Sequence, residues 1–381
     1  MEIDHRPTLP VLPTLLVLNA TTSSLIALRL RWPIRLAAFV SYTCILGLAY
    51  QCTTRNMHRD YVMGCSLANQ FLHAFHLLWL TDPLMELHHE RDHVHPSQLS
   101  FIRRIYWALC TLYSYRGVGW NYQVANVPER IKTPKWRFAL QKLSSALRCY
   151  VFIDAIQLYI LHTNPQDRLQ HCLYGLARFS TMYAFLALYY ALFATVSVTI
   201  GLSEPQDWPA VFGKWSDAYT IRRFWGRTYH QMIRRYTTST GKWACRLLGL
   251  KPGTWASSYT QLYVGFAVSG LMHCGGDLMV RPSIYGASLT YFIAQAVAIS
   301  VEDAIIDVAK RTRLRCPELL TRCLGYAWVF LWLGISTPWL FNWTIQAGVS
   351  DKQRLPFSLI EMGFWGLVTG SIKFASVVHS L

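Results

Sequence analysis

Long apolar segments separated by basic connections are the feature of this sequence that most limits its possible folds. A helix that crosses a bilayer needs about 20 mostly apolar residues, because ~30 Å of hydrocarbon is divided by 1.5 Å of rise per residue. Only 15% of the 381 residues are charged and 52% are hydrophobic, against about 25% charged residues in an ordinary soluble domain. The sequence therefore indicates an integral membrane protein. The clearest spans are residues 176–202, 259–275, 283–301, 323–346 and 356–379.

Other segments are apolar but are interrupted by Asn, Gln, His or Arg. They cover residues 9–28, 33–52, 61–81, 100–120 and 147–163. Because a polar side chain in contact with lipid is costly, we expect these segments to face other helices or an internal cavity. We predict an all-α fold, a polytopic integral membrane helical bundle with about 8–10 transmembrane helices. Residues 1–381 are predicted to form a single membrane domain.

Basic residues are concentrated in the connections between these segments. The 36 Lys and Arg exceed the 20 Asp and Glu, which gives a net charge of +16. In a soluble chain this excess would suggest nucleic acid, whereas in a membrane chain it is typical of cytoplasmic loops. We therefore expect the connection 203–258 to lie in the cytosol, and we expect no nucleic acid partner. From Ala218 to Gly276 there is no acidic residue, while basic residues accumulate at Arg222, Arg223, Arg227, Arg234, Arg235, Lys242, Arg246 and Lys251.

Two roles remain open for these basic side chains. They could fix the orientation of the chain and contact anionic headgroups, at about 1 kcal/mol each. Some could instead bind the phosphates of a soluble cofactor, since a guanidinium matches two phosphate oxygens at once. The stretch R-R-F-W-G-R-T-Y-H-Q (222–231) mixes arginine with aromatic residues. That composition favours the second role locally and predicts an amphipathic helix at the membrane interface.

The connections 82–104 and 121–145 are polar, contain proline and predict surface loops with short amphipathic helices. The first contains H-E-R-D-H (89–93), which has the spacing of the H-E-x-x-H zinc motif. That motif belongs on a buried helix, whereas this stretch is polar all round and is followed by Pro96. We therefore predict no metal site. The absence of P-loop, G-x-S-x-G and G-x-G-x-x-G motifs argues against a nucleotide-hydrolysing transporter or a soluble-type esterase.

His273 is the strongest candidate for a catalytic side chain. It ends the apolar run 263–273, in which several small residues allow another helix to pack closely. An ionisable residue at membrane depth costs about 2.5–3.5 kcal/mol on insertion scales, so its presence favours a function. A neutral imidazole there is available as a base. The alternative is a histidine that only forms a hydrogen bond to a neighbouring helix.

Gln295 and Glu302 are the next polar pair. They are seven residues, or two helical turns, apart and so lie on one face of their helix. They could line the same cavity as His273, or they could form a structural polar seam together with Asp303.

Together these residues form a set that resembles a known family. The chain is similar to the wax synthase-like branch of the membrane-bound O-acyltransferases, in particular to fungal enzymes that acetylate hydroxyls of terpenoids and meroterpenoids. The likeness is strongest over residues 116–333. Its blocks, in the order of the family, are R-G-V-G-W-N (116–121), D-A-Y-T-I-R-R-F-W-G-R-T-Y-H-Q (217–231), V-S-G-L-M-H (268–273), and Y-F-I-A-Q-A-V-A-I-S-V-E-D (291–303) followed by L-G-Y-A-W-V-F-L-W-L (324–333).

The resemblance implies roles for individual residues. His273 matches the intramembrane catalytic histidine of the family, and His230 takes the position at which related sterol and diacylglycerol acyltransferases have Asn. Tyr229 departs from the pattern, which usually has Trp. We expect the acyl donor to contact Arg222, Arg223, Trp225 and Arg227, and we expect the substrate cavity to include Asn121, Gln295 and Glu302.

The function that the resemblance implies is an O-acetyltransferase. It would move an acetyl group from acetyl-CoA, as a co-substrate rather than a bound cofactor, to a lipophilic alcohol in the membrane of the endoplasmic reticulum. Its partners would be acyl-CoA, the alcohol and membrane lipids. Two alternatives remain open: a long-chain wax or sterol ester synthase, and a non-catalytic lipid-binding membrane protein.

Overall fold

The computed structural model describes residues 4–312, 316–346 and 354–363. Within these ranges the chain is helical and has no β-strand, only isolated bridges between Thr8 and Thr53 and between His89 and Trp120. The predicted all-α fold is therefore confirmed. The α-helices are α1 (Val11–Leu28), α2 (Trp32–Ala49), α3 (Met57–Phe75), α4 (Pro83–Glu86), α5 (Phe101–Tyr113), α6 (Lys135–His162), α7 (Arg168–Thr199), α8 (Ile221–Arg223), α9 (Arg234–Leu247), α10 (Trp255–Met279), α11 (Ala287–Arg311) and α12 (Glu318–Gln346).

Five helices of the described chain are long and apolar enough to cross a membrane: α1, α2, α6, α7 and the Glu318–Asn342 part of α12. The other predicted spans fall on α3, α5, α10 and α11, which carry more polar side chains. Of the span predicted over 356–379, residues 364–379 lie outside the described residues.

The surface loop predicted over 121–145 is wrong from residue 135 onward, because α6 begins at Lys135. The spacing of the apolar residues explains why the helix begins this early. Trp136, Leu140, Leu143 and Leu147 recur every three or four residues and form one exposed stripe on the helix. The lysine and proline residues around position 135 favoured a loop, and the apolar spacing was not recognised for this reason.

The described chain divides into two compact units, Met1–Glu129 with Phe212–Leu331 and Arg130–Val211 with Trp332–Leu381. In the second unit, α6 packs along α7 around Ile153 and Leu188. In the first unit, α10 is central and packs against α3, α9 and α11. The assignment of residues 1–381 to a single domain stays a prediction.

Two glycines set the distance between α3 and α10. A Cβ added to Gly64 would lie 2.2 Å from the carbonyl oxygen of Gly275, and a Cβ on Gly275 would lie 2.5 Å from that of Gly64. Such distances are below any van der Waals contact, so the two backbones touch directly, as small residues permit between membrane helices. The Tyr50 hydroxyl donates to the Gly64 carbonyl at 2.8 Å and closes the contact from α2.

Gly275→Ala is expected to destabilise the protein, because the new methyl group forces two backbones apart at an overpacking cost of about 1–3 kcal/mol. Gly265→Ala on the same helix is the matched control, since a Cβ there meets nothing within 4 Å. The control should leave the thermal midpoint unchanged or raise it, because Ala is the better helix former. The measurement is the Tm of each variant in detergent. An equal Tm for both variants would show that the close crossing of α3 and α10 is incorrect.

Candidate active site

His273 lies on α10 between α3 and α11. Its ring stacks on Phe292 of α11, with centroids 4.7 Å apart and planes inclined by 19°. Its Nδ1 faces α3, 3.3 Å from Tyr61 Oη and 3.7 Å from Cys65 Sγ. The ring is only partly buried, and the described residues supply no hydrogen-bond partner for Nε2. The imidazole is thus held at Nδ1, and its Nε2 has no partner in the described chain.

A hydrogen-bond chain continues from Nδ1 to a buried carboxylate. Tyr61 Oη lies 3.1 Å from Ser288 Oγ. Ser288 donates its hydroxyl to Asp277 Oδ1 at 2.7 Å and its backbone N–H to Oδ2 at 2.8 Å. Asp277 is fully buried. The sequence analysis missed Tyr61, Ser288 and Asp277, although the position of Asp277 four residues after His273 was a signal that both share one face of α10.

The segment predicted as an amphipathic helix over 222–231 has a different structure. After the single turn of α8, residues Phe224–Thr228 form a π-helical turn, and the backbone is extended at Tyr229. The side chain of Gln231 replaces the missing helical donors, because its Nε2 donates to the carbonyls of Trp225 at 3.1 Å and Tyr229 at 2.7 Å. The prediction of one continuous helix was therefore wrong.

The π-turn lies along the faces of α10 and α11 that carry His273 and Ser288. The indole of Trp225 donates to Gln295 Oε1 at 3.2 Å, and its ring lies 6.1 Å from that of Phe266. Gln295 is seven residues after Ser288, and Phe266 is seven before His273, so each pair lies on one helix face. Gln295 is fully buried. Trp225 and Gln295 thus lie along the helix faces that carry His273 and Ser288, and their expected places at the acyl donor and in the substrate cavity stay predictions.

His230 follows the π-turn in the connection between the predicted spans. Its ring lies 4.6 Å from that of Tyr229, and its buried Nδ1 has no hydrogen-bond partner among the described residues. Burial lowers the pKa of His230 to about 3, and the nearby charges of His273 and Arg116 act in the same direction. His230 is therefore neutral at physiological pH and is close enough to His273 to interact with it electrostatically.

Glu302 fixes the start of this segment from α11. The buried carboxylate accepts the backbone N–H groups of Ile221 at 2.7 Å and Arg222 at 3.2 Å. It also accepts the indole N–H of Trp328 at 3.0 Å. Two orphan donors at the beginning of α8 are satisfied in this way. These contacts match the structural polar seam that the sequence analysis left open for Glu302.

The three arginines expected to contact the donor are not equivalent. Arg222 forms an ion pair with Asp303, with Nε 3.1 Å from Oδ1. The Arg223 guanidinium lies 3.6 Å from Asp217. Arg227 is exposed, and no side chain in the described ranges forms an ion pair or hydrogen bond with its guanidinium. Arg227 thus remains available for an anionic ligand.

Asn121 is not brought to His273. It is exposed, its Nδ2 donates to the Glu86 carbonyl at 2.7 Å, and its Oδ1 accepts the backbone N–H of His88 at 3.1 Å. The residue of the same sequence block that reaches the site is the buried Arg116, which acts electrostatically on His230. A charged residue within an otherwise uncharged block was the signal for it.

The H-E-R-D-H stretch does not form a helix. His89 pairs with Trp120 in an isolated bridge, a turn follows at Glu90 and Arg91, and the His89 backbone N–H donates to Asp92 at 2.7 Å. The i, i+4 geometry of the zinc motif is therefore not formed here.

An apolar cavity of about 270 Å³ lies among α2, α3 and α10. On α10 it is lined by Leu271, Cys274, Gly275 and Leu278. At 100° per residue these positions occupy a different face of α10 from that of His273. This cavity is thus not the site at which His273 meets a ligand.

Several known proteins are similar to this chain. Residues 208–294 match the profile of the Membrane bound O-acyl transferase family, a range that contains His230 and His273. The acetyltransferase ple2 of Rhodocybe pseudopiperita is 34% identical over 330 residues, 84% of this chain and 86% of that protein. The acetyltransferase eriL of Hericium erinaceus is 31% identical over 292 residues, 71% of this chain and 75% of that protein.

The name of a further relative does not refer to acetyl transfer. The O-Mevalon transferase macI of Penicillium terrestre is 28% identical over 345 residues, 79% of this chain and 78% of that protein. No solved structure matches the chain significantly. The relatives cover most of both chains at up to 34% identity, and the profile match spans the site. The chain therefore belongs to the membrane bound O-acyl transferase family and is a multi-pass membrane enzyme that transfers acyl groups.

Proposed function

We propose that this enzyme transfers an acetyl group from acetyl-CoA to a hydroxyl of a lipophilic terpenoid or meroterpenoid in the endoplasmic reticulum membrane. The observation that carries the proposal is a pair of histidines with ring nitrogens that have no partner among the described residues. His273 offers its Nε2, and the neutral His230, which interacts electrostatically with His273, offers a buried Nδ1. The names of the relatives ple2 and eriL support acetyl as the transferred group.

His273 acts as the general base. Its Nε2 takes the hydroxyl proton while the alcohol oxygen attacks the thioester carbonyl carbon, a role that generally contributes about 10²–10⁴-fold in rate. The tetrahedral intermediate collapses with cleavage of the C–S bond. The proton then passes from Nε2 to the sulfur of CoA. An activated thioester needs no nucleotide hydrolysis to drive this exchange.

His230 is the donor best placed to stabilise the developing oxyanion. The indole N–H of Trp225 is a less suitable donor, because it already donates to Gln295. The buried Nδ1 of His230 would gain a partner only when a ligand binds. A neutral imidazole with a proton on Nδ1 can donate to an oxyanion without introducing a full charge into a poorly hydrated site.

Arg227 is the residue best placed to bind the phosphates of CoA. Arg222 and Arg223 have carboxylate partners, whereas Arg227 is exposed and has none in the described chain. A free guanidinium gives two parallel hydrogen bonds to a phosphate at no cost of breaking an existing ion pair.

A second candidate is transfer of a larger acyl group, which the name of the relative macI favours. A competition assay with acetyl-CoA and longer acyl-CoA thioesters separates the candidates. Acetyl-CoA as the preferred donor supports the proposal, whereas preference for a longer chain would replace acetyl by that acyl group or indicate an ester synthase.

His273→Ala is expected to lower kcat by about 10²–10⁴-fold, because the alcohol loses its base. The assay is transfer of radiolabelled acetyl from acetyl-CoA to a terpenoid alcohol by membranes that contain equal amounts of inserted enzyme. His162→Ala, at an exposed histidine that ends α6, is the matched control and should retain full turnover. Wild-type turnover in His273→Ala would remove this residue from the reaction.

Substitutions of His230 should distinguish donation from packing. His230→Leu is expected to lower kcat by about 10²–10³-fold, as the loss of one oxyanion donor does. His230→Asn keeps an N–H donor at this position and should retain more activity than the Leu variant. The measurement is kcat at saturating acetyl-CoA. Equal turnover in the two variants would mean that His230 does not stabilise the oxyanion.

Arg227→Gln is expected to raise the KM for acetyl-CoA several-fold, with little change in the KM for the alcohol, because a phosphate contact is lost. Arg246→Gln is the control, since Arg246 is also exposed and lies on the neighbouring α9. Initial rates with varied donor and fixed alcohol give the comparison. An unchanged donor KM in Arg227→Gln would favour a topogenic role for this arginine.

A further inference from the structure

We infer that Asp277, Ser288 and Tyr61 are positioning residues that fix the tautomer of His273, with the proton on Nδ1 and Nε2 unprotonated. The role of Nε2 as a base rests on the proposed function. The direction of the hydrogen-bond chain does not rest on that role, since it follows from an ionised Asp277 and the contacts between the side chains.

Asp277 determines the direction of the chain. An ionised carboxylate only accepts hydrogen bonds, so the 2.7 Å contact between Ser288 Oγ and Asp277 Oδ1 uses the single proton of the serine hydroxyl. The 3.1 Å contact between Tyr61 Oη and Ser288 Oγ must then be donated by Tyr61. The tyrosine hydroxyl has no second proton. The 3.3 Å contact with His273 is therefore donated by Nδ1–H.

Cys65 agrees with this assignment. Its thiol lies 3.8 Å from the His273 carbonyl oxygen, to which it can donate. The same sulfur is 3.7 Å from Nδ1. With its proton directed to the carbonyl, the sulfur presents lone pairs to Nδ1 and can only accept from it. Both neighbours of Nδ1 thus favour a protonated nitrogen at this position.

The chain also connects His273 to a negative charge during the reaction. When the alcohol proton moves to Nε2, the new C–O bond forms at the carbonyl carbon and the ring becomes an imidazolium with both nitrogens protonated. Its positive charge faces the buried carboxylate of Asp277 through Tyr61 and Ser288. When the C–S bond breaks, the proton leaves Nε2 for the sulfur and the Nδ1–H tautomer is restored.

The Asp277 carboxylate stabilises the transition state more than the ground state. The described residues include no lysine or arginine in an ion pair with this carboxylate, which is fully buried. A buried charge without a cation is costly, and a transient imidazolium three hydrogen bonds away offsets part of that cost. Interactions that strengthen only in the transition state raise kcat.

The direct test is ¹⁵N NMR of the full-length enzyme in lipid at neutral pH, with the histidine ring nitrogens labelled. The signals of His273 are those missing from the spectrum of His273→Ala. The expected wild-type pattern is a protonated Nδ1 and an unprotonated Nε2. A proton on Nε2 in the wild type would overturn the inference, whatever the activity of the enzyme.

Asp277→Asn supplies the kinetic test. An amide –NH₂ directed to Ser288 Oγ reverses the chain, because Ser288 then donates to Tyr61 and Tyr61 donates to Nδ1. The proton should move to Nε2 in the NMR spectrum. The kcat should fall at least tenfold, with an unchanged KM for acetyl-CoA. Ser300→Ala is the control and should have wild-type kinetics, because Ser300 lies on α11 with Ser288 but has its hydroxyl near Tyr263.

Failure of the inference and failure of the proposed function give different results. If His273→Ala is inactive while Asp277→Asn keeps wild-type kcat and spectrum, the inference is overturned and the base remains. If His273→Ala is active, His273 is not the general base. The tautomer measured by NMR in the wild type still tests the direction of the hydrogen-bond chain. Where Asp277→Asn does not insert, Tyr61→Phe breaks the same chain. It should lower kcat at unchanged KM for acetyl-CoA, and a Tyr61→Phe enzyme with wild-type kcat would contradict the inference.

Discussion

The direct contact of the α3 and α10 backbones at Gly64 and Gly275 is the constraint on which the candidate site depends. Tyr61 lies three residues before Gly64, and His273 lies two residues before Gly275. The crossing point therefore sets which side chains of the two helices meet. If one helix shifted along the other by a single turn, about 5.4 Å, the 3.3 Å contact between Tyr61 Oη and His273 Nδ1 would be lost. The absence of side chains at Gly64 and Gly275 thus allows the approach that brings Tyr61 and His273 together.

Three acidic residues of α10 and α11 have separate structural roles. Asp277 accepts from Ser288, Glu302 accepts the first donors of α8, and Asp303 neutralises Arg222. In an apolar bundle an unsatisfied carboxylate would be expensive, so each is held by donors that also fix a nearby segment. In the proposed mechanism the groups that face the reaction are neutral histidines.

The sequence was sufficient for the fold class, and it singled out His273 as a candidate, because both inferences depend on local properties. Apolar segments of sufficient length predict membrane helices, and a histidine that ends such a segment is unusual enough to be noticed. The family blocks added His230, which interacts electrostatically with His273, and Trp225, which donates to Gln295; their roles stay predictions. The sequence did not distinguish Arg222 and Arg223 from Arg227. The carboxylates that pair with the first two are Asp303, which is distant in sequence, and Asp217, which lies in the preceding turn.

What the sequence could not supply were contacts between distant segments. Tyr61 and Ser288 are 227 residues apart, and nothing local to either indicates that they meet. Asn121 shares a block with Arg116, and only the fold shows that one is tied to Glu86 while the other reaches His230. Likewise the π-turn at Phe224–Thr228 depends on the side chain of Gln231, whose two carbonyl contacts have no signature in composition.

The most direct measurement of the central claim is a structure of the enzyme in lipid with a non-hydrolysable acetyl-CoA analogue. The account predicts that the acyl carbonyl oxygen accepts from His230 Nδ1. It also predicts that His273 Nε2 faces the carbonyl carbon across a space that admits one hydroxyl group. An acyl group bound elsewhere, with both histidines remote from it, would contradict the account.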